Sequence, residues 1–150
     1  MFAGILHDPS QTTVYWFKVP QKLTPYVRIG AEAHCDTRRG TQKGSIVSLI
    51  DGMTEEQIKP LIGDHTPMKQ ITAVIADLDM NSIHVPWSIV NTNPNPSKIE
   101  KRVKEFYRRG MFDTEVRFTD SGALMDGYTA YLVAKMFGHD TLRGLVIATL

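Results

Sequence analysis

Cysteine is almost absent from this chain, since Cys35 is the single cysteine among 150 residues. One thiol excludes an internal disulfide framework and every zinc module built from several cysteines. The histidines show no metal-ligand spacing among themselves, so we expect no metal site. No apolar run approaches the ~20 residues that span a bilayer, and the first residues lack the pattern of an export signal. We therefore expect a cytoplasmic protein without membrane contact.

An excess of one charge is also lacking, because 17 Lys and Arg face 16 Asp and Glu, for a formal net charge of +1. That balance still allows a basic face on one side of the molecule. A chain of this length with 42% hydrophobic residues predicts one large or two small domains. We predict an α+β protein with a soft boundary over 64–80, an N-terminal unit over 1–78 and a C-terminal unit over 79–150.

The first half has the pattern of short strands. Residues 14–19 are rich in aromatic and β-branched side chains and are stopped by a proline. Over 31–36, alternation places Ala31, Ala33 and Cys35 on one face. A basic turn with Arg38 and Arg39 follows, and 45–50 return as the partner strand. The pattern predicts a small antiparallel β-barrel-like unit, in which the two arginines are either a solvated loop or a contact with a polyanion.

Two further features of this half are specific. Tyr15, Trp16 and Phe17 are adjacent, and because neighbouring residues of a strand point to opposite faces, at least one of the three is exposed or at an interface. We interpret them mainly as core rather than as a platform for stacked bases. Thr54 and Gln57 form a capping box that predicts a short helix ending at Gly63, and strands are predicted over 69–77 and 83–85.

The second half contains a helix with an unequal charge distribution. We predict that it begins with a capping box at Ser97 and Glu100 and ends at Gly110. Helical spacing groups its apolar residues, Ile99, Val103, Phe106 and Tyr107. Six basic residues cover the rest, against Glu100 and Glu105. The helix surface is either merely solvated or a nucleic-acid contact, for which the candidate residues are Lys98, Lys101, Arg102 and Arg109.

The order of elements after this helix resembles a known family. A strand over 115–119, a turn, a short apolar segment ending in Asp126-Gly127, a helix ended by Gly138 and a last strand over 141–150 follow in turn. Together with the stretches 93–98, 107–113 and 122–138, they resemble the ParB N-terminal and sulfiredoxin-like fold over about 80–150. The resemblance implies a bacterial, phage or mobile-element setting, with nucleotide phosphates or nucleic acid bound at the start of the last helix.

The physical basis of such a site is the helix terminus. The first amides of the helix have no intrahelical acceptors, and the helix dipole favours an anion there. Asp126 either caps the helix or holds a cation such as Mg²⁺ against a phosphate, so a nucleotide with Mg²⁺ is the cofactor that this reading allows. The alternative is a helix cap and tight turn that only support the core. The candidate phosphate-binding residues are Asp126, Gly127, Tyr128 and Thr129.

The sequence departs from the family where its active members carry chemistry. They place His or Glu after the Asp-Gly pair and a phosphate-clamping Arg two residues later, whereas this chain has Tyr128 and Ala130. No cysteine lies near Asp126, so sulfiredoxin chemistry has no candidate thiol. We therefore predict a regulatory nucleic-acid or nucleotide binding module and assign no catalytic residue.

Two other hypotheses stay open. The chain is alternatively a protein-interaction scaffold that has lost the chemistry of the fold, with a protein partner or a second copy of itself as the ligand. The third hypothesis is a nucleotide-dependent hydrolase or nuclease in which Lys98, Lys101 or Arg102 supplies the missing charge.

Overall fold

The computed structural model describes residues 1–63, 67–110, 112 and 115–149. The chain forms two compact units, Met1–Ile75 with Ile147–Leu150, and Ala76–Val146. Helices and strands are mixed along the chain, which confirms the α+β class. Residues 64–66 of the expected boundary, Met111 and Asp113 of the family resemblance, and Leu150 of the last predicted strand lie outside the described residues. The division into domains at residues 78 and 79 stays a prediction.

The first unit is an antiparallel sheet with one helix. Its elements are β1 (Phe2–Leu6), β2 (Tyr15–Lys18), β3 (Glu32–Thr37), β4 (Gly40–Ile50), α1 (Glu55–Ile62) and β5 (Ile71–Asp79), of which β5 continues into the second unit. The strand order is β2-β1-β4-β3-β5, and each neighbouring pair is antiparallel.

The β3–β4 hairpin confirms the predicted alternation and turn. Ala33 and Cys35 are buried on one face of β3, as predicted. Thr37 pairs with Gly40, so Arg38 and Arg39 are the two loop residues. The partner strand begins at Gly40 rather than at 45, because pairing with β3 extends over a glycine-containing segment of low intrinsic strand preference.

The sheet of the first unit is open, so the expectation of barrel closure was wrong. Among the described residues, β2 meets the segment before β5 in one isolated bridge, Lys18 with Gln70. The Lys18 N–H donates to the Lys69 carbonyl over 2.9 Å, whereas the Val19 N–H points the other way and donates to the Met1 carbonyl, just before β1. The next donor on the outer side would be residue 20, which is a proline without an N–H, so the ladder cannot continue.

Helix α1 covers one face of this sheet and has the predicted ends. The Thr54 hydroxyl accepts from the Gln57 N–H, the Gln57 side chain accepts from the Thr54 N–H, and a left-handed glycine at 63 ends the helix. Ile58 packs with Phe2 and Met68 in a buried cluster. Elsewhere in the core, burial raises the pKa of the Cys35 thiol to about 12.

The second unit combines short strands with three helices. Besides the end of β5 it contains α2 (Trp87–Val90), α3 (Pro96–Arg109), β6 (Arg117–Thr119), β7 (Leu124–Asp126), α4 (Tyr128–Met136) and β8 (Thr141–Ile147). The strand order is β5-β8-β6-β7, so β8 is an interior strand. The strand predicted over 83–85 is reduced to a single bridge between His84 and Ala123. Within the described ranges, no helix is long and apolar enough to cross a bilayer.

Candidate nucleic-acid interface

Helix α3 begins two residues earlier than the sequence predicts. Its N-cap is Asn95, whose side-chain oxygen accepts from the Ser97 N–H over 3.0 Å and from the Ser97 hydroxyl over 2.7 Å. Pro96 occupies the first helical position, where its fixed φ suits the helix and its missing N–H costs nothing. The predicted capping box at Ser97 and Glu100 was therefore wrong, whereas the predicted end at Gly110 is confirmed.

The apolar face of α3 is narrower than predicted. Ile99, Val103 and Phe106 are half-buried, but the side chain of Tyr107 is 82% exposed. Tyr107 follows Phe106 by ~100° around the helix, which carries it past the edge of the packed face. The assignment of Tyr107 to the apolar face was wrong.

Opposite the apolar face, α3 carries a row of exposed residues that we call the α3 row, namely Ser97, Lys101, Lys104 and Arg108. Their spacing of three and four residues stacks them on one side of the helix. The α3 row lines a groove of about 440 Å³ together with Glu100, Glu105 and Arg109. Of the residues proposed from the sequence, this groove includes Lys101 and Arg109; Lys98 is exposed but does not line it.

Arg102 and Lys104 are each ion-paired with a glutamate of α3. One guanidinium nitrogen of Arg102 donates to both carboxylate oxygens of Glu105 at 2.8 Å, and the two side chains are only 15% and 9% exposed. Lys104 contacts Glu100 at 3.0 Å, but both of these side chains are largely exposed. A phosphate could compete for Lys104 far more easily than for Arg102. A nucleic-acid contact by Arg102 stays a prediction, and Lys104 and Arg108, which the sequence analysis left out, are better placed.

The start of α4 is shaped by packing. Gly127 has φ +96°, and a Cβ there would lie 3.0 Å from the Val116 Cγ2 and 3.2 Å from the Val116 Cα. Asp126 is exposed, and its carboxylate accepts from the Gly127 N–H at 2.8 Å instead of reaching further into the first turn. Among the residues that the structure describes, no side chain caps this helix. Glycine is required here by backbone conformation and by contact with Val116.

The residues after Gly127 differ from those that the resemblance predicts, and the structure shows where their side chains lie. Tyr128 and Thr129 are half-buried, and the Tyr128 ring stacks against Tyr131 with centroids 6.3 Å apart. Ala130, where the resemblance places a clamping Arg, is 0% exposed. Residues 128–130 therefore supply backbone amides and hydroxyl groups but no positive charge.

An aromatic cluster at the ends of α3 and α4 was missed by the sequence analysis. The ring of Phe106 stacks on Phe137 at 4.9 Å between centroids and meets His139 edge-on at 4.6 Å. Around it, Tyr107, Met136 and Phe137 are 82%, 69% and 42% exposed. One signal in the sequence could have indicated this cluster. Met136 and Phe137 stand directly before Gly138, so these two apolar side chains lie at the end of the helix rather than on its buried face.

The described residues contain no group of three His, Cys, Asp or Glu side chains that could hold a metal ion. A cation at Asp126 would therefore take its other ligands from phosphate oxygens and water.

Two solved structures of the pNOB8-like ParB N-domain are similar to this chain, each with 16% identity. Their TM-scores are 0.47 and 0.46, and the matches cover 55% and 57% of this chain. The chain spans about a third of the length of those structures, 33% and 31%. They are ParB N-domains, the family that the sequence resembles, and the likeness extends over part of the fold. No protein-family model matches the chain, and no curated protein does.

Proposed function

We propose that this chain is a ParB-like, non-catalytic module that binds the phosphate backbone of DNA or RNA along the α3 row. The observation that carries the proposal is the position of Lys101, Lys104 and Arg108 in one exposed row opposite the packed face. Lys101 and Arg108 are seven residues apart, or about 10 Å along the helix axis. Duplex DNA carries one negative charge per ~1.7 Å of its axis, so a row of this length faces several phosphates.

The start of α4 is a second phosphate position in this proposal. Its amides point along the helix axis without a side-chain cap, and Asp126 beside them is exposed. One phosphate would contact the amides of Tyr128 and Thr129. It would come either from the nucleic acid or from a nucleotide whose Mg²⁺ contacts Asp126.

The experiment is a titration of labelled duplex DNA, single-stranded DNA and RNA, read by fluorescence anisotropy, between about 50 and 200 mM salt. Three phosphate contacts predict a slope of log K against log salt of about −2.7 on duplex DNA. Replacement of both Lys101 and Arg108 by Ala should make that slope shallower by about 2. Lys135→Ala is the control, because it removes an exposed charge from α4.

Binding without salt dependence, or an unchanged slope in the Lys101→Ala, Arg108→Ala variant, would remove the α3 row from consideration. The position at α4 is tested separately by titration with a nucleotide and Mg²⁺. Asp126→Asn should weaken nucleotide binding in Mg²⁺ and leave the salt slope on duplex DNA in place. Nucleotide affinity that is equal with and without Mg²⁺ would contradict the role of Asp126.

The second candidate function, a protein-interaction scaffold, is favoured by the exposed aromatic cluster at the ends of α3 and α4. Large apolar side chains with this exposure commonly mark a contact surface. Under this hypothesis Tyr107→Ser should abolish association with a protein partner or with a second copy, as measured by light scattering after size-exclusion chromatography, while DNA binding is retained. A monomer that captures no partner would contradict it.

The hydrolase or nuclease hypothesis needs a cation beside the start of α4, and none stands at 128–130. It is tested by following nucleotide hydrolysis and DNA cleavage in the presence of Mg²⁺. Activity that is lost on Asp126→Ala and on Lys101→Ala would support this hypothesis, and activity that survives Asp126→Ala would place the chemistry elsewhere.

A further inference from the structure

The first unit contains a second groove, larger than that of α3, with a volume of about 1000 Å³. Three segments line it: β2 with the loop that precedes it, the β3–β4 hairpin around its turn, and residues 67–69. We call it the β2 groove. It lies entirely within the first unit, so its chemistry is separate from that of α3.

The β2 groove exists because the sheet does not close. Strand β2 is at the edge of the sheet, and among the described residues it pairs with the segment before β5 at the Lys18–Gln70 bridge alone. The opposite wall, residues 67–69, is held in place by α1 as well, since the Met68 N–H donates to the Glu55 carboxylate over 2.8 Å. That hydrogen bond and the neighbouring Lys59 lower the pKa of Glu55, so the carboxylate stays charged at neutral pH. The groove is therefore a fixed opening between an edge strand and a tethered segment.

One side of the β2 groove is aromatic. Tyr15 is 49% exposed, and its ring lies 5.6 Å from that of His7. The His7 ring also meets the buried Phe17 edge-on at 5.8 Å. The Nδ1 of His7 donates to the Lys43 carbonyl over 3.0 Å, which fixes the plane of the ring. An exposed tyrosine supported by a fixed ring is a suitable surface for stacking a base.

The other side is cationic. Arg38 and Arg39 form the hairpin loop, and both are exposed, as is Lys69 of the 67–69 segment. The loop is tied down because the Thr37 hydroxyl donates to the Gly40 carbonyl at 2.6 Å and accepts from the Arg39 N–H at 3.2 Å. Arginine side chains on a short, fixed loop can contact phosphates with little loss of backbone freedom.

Two carboxylates also line the β2 groove, and they set its selectivity. The Asp8 carboxylate accepts from both the N–H and the hydroxyl of Ser10 at 2.9 Å, which lowers its pKa and keeps it charged. Asp36 is exposed on the strand before the loop. Three cations therefore face two carboxylates, an arrangement that disfavours a dense polyanion such as a duplex over a ligand with few phosphates and an exposed base.

We infer that the β2 groove binds a short single strand of nucleic acid, with one base stacked on Tyr15 and the adjoining phosphates held by Arg38 and Arg39. A duplex keeps its bases stacked on each other and cannot offer a base face to Tyr15, so the groove selects single strands. This site is additional to the phosphate contacts of the α3 row and does not depend on them.

The test uses the full chain in a Trp87→Phe background. The chain has two tryptophans, so this change leaves Trp16, which lines the β2 groove, as the single fluorophore of its kind. A short oligothymidylate should change Trp16 fluorescence, and an abasic oligomer of the same length should bind about tenfold more weakly, because stacking contributes this much per base.

Matched variants separate this site from other contacts. Tyr15→Ala should weaken oligothymidylate binding about tenfold, Tyr15→Phe should restore it, and Tyr107→Ala, which removes an exposed tyrosine of the second unit, should have no effect. Arg38→Ala with Arg39→Ala should make the salt slope shallower by about 1.4, the value for two phosphates of a single strand. The Lys101→Ala, Arg108→Ala variant should keep the Trp16 response, so failure of the α3 proposal would leave this one standing.

Three results would overturn the inference: equal binding of the abasic oligomer, equal effects of Tyr15→Ala and Tyr107→Ala, or a Trp16 response to an acidic peptide but not to the oligonucleotide. The last result would assign the β2 groove to a protein partner, for which the edge strand β2 offers backbone pairing.

Discussion

Helices α3 and α4 of the second unit differ in what they expose to an anion. The start of α4 has the Asp-Gly turn and the uncapped amides, but its special residues serve packing, since Gly127 contacts Val116 and Ala130 is in the core. Helix α3 lies outside that motif and carries the exposed cations. A motif of this kind thus reports the shape of the backbone, whereas the capacity to bind an anion depends on where charged side chains reach solvent.

The change with the largest expected effect places an arginine at position 130, where the resemblance to the ParB N-terminal fold puts a phosphate-clamping Arg. Ala130→Arg puts a guanidinium at a fully buried position and should lower the free energy of unfolding by about 4 kcal/mol, from overpacking and an unpaired charge. Thr129→Arg, at the half-buried neighbouring position, is the control and should lower the free energy of unfolding much less. Urea unfolding measures both. A stable Ala130→Arg variant with improved phosphate binding would break the contrast between the two helices.

A second change tests whether Arg102 of α3 is structural. Glu105→Ala leaves the poorly exposed Arg102 without the carboxylate that it contacts, and should cost about 3 kcal/mol of unfolding free energy. The matched control is Glu100→Ala, which breaks an exposed pair on the same helix. If the two variants unfold at the same urea concentration, Arg102 is an ordinary surface residue and returns to the set of nucleic-acid contacts.

The third prediction separates backbone strain from packing at Gly127. Gly127→Ala should cost about 2 kcal/mol, because a left-handed alanine is strained and its Cβ would press on Val116. Gly110→Ala at the end of α3 has the same kind of φ, +68°, but open space around the Cβ, and should cost about 1 kcal/mol. Equal losses in thermal or urea unfolding would show that contact with Val116 contributes nothing.

The smallest expected effect is on the surface of α3. Glu100→Gln removes the partner of Lys104 and should change the unfolding free energy by less than about 0.5 kcal/mol. Because it frees a cation in the α3 row, DNA binding at low salt should tighten, and the gain should disappear as salt is raised. Weaker binding by this variant would argue that Lys104 does not face the nucleic acid.

Local signals in the sequence predicted local structure well where one residue decides the outcome. The capping box at Thr54, the glycine ends of α1 and α3 and the buried face of β3 are all found where the pattern put them. The start of α3 was predicted wrongly because two good capping residues, Asn95 and Ser97, stand close together. Asn95 is the N-cap because the fixed φ of Pro96 suits the first helical position.

Features that depend on distant parts of the chain could not be read from the sequence in the same way. Closure of the first sheet depends on which edge of β2 faces the segment before β5, and only the fold shows that Pro20 occupies the position where the next donor is needed. The pairing of Arg102 with Glu105 and the full burial of Ala130 likewise depend on what packs around the helices. The candidate site was therefore predicted as a basic face, but the members of its exposed row were not.

The burial of Cys35 has a practical consequence for work on both grooves. With a pKa raised to about 12 and no exposed surface, its thiol stays protonated and unreactive toward alkylating reagents at neutral pH in the folded protein. A cysteine introduced at Gln11, an exposed residue that lines the β2 groove, or at Ser97 would then be the only site for a maleimide fluorophore. Each groove could be labelled singly in the otherwise natural chain, and ligand arrival at one could be followed without a signal from the other.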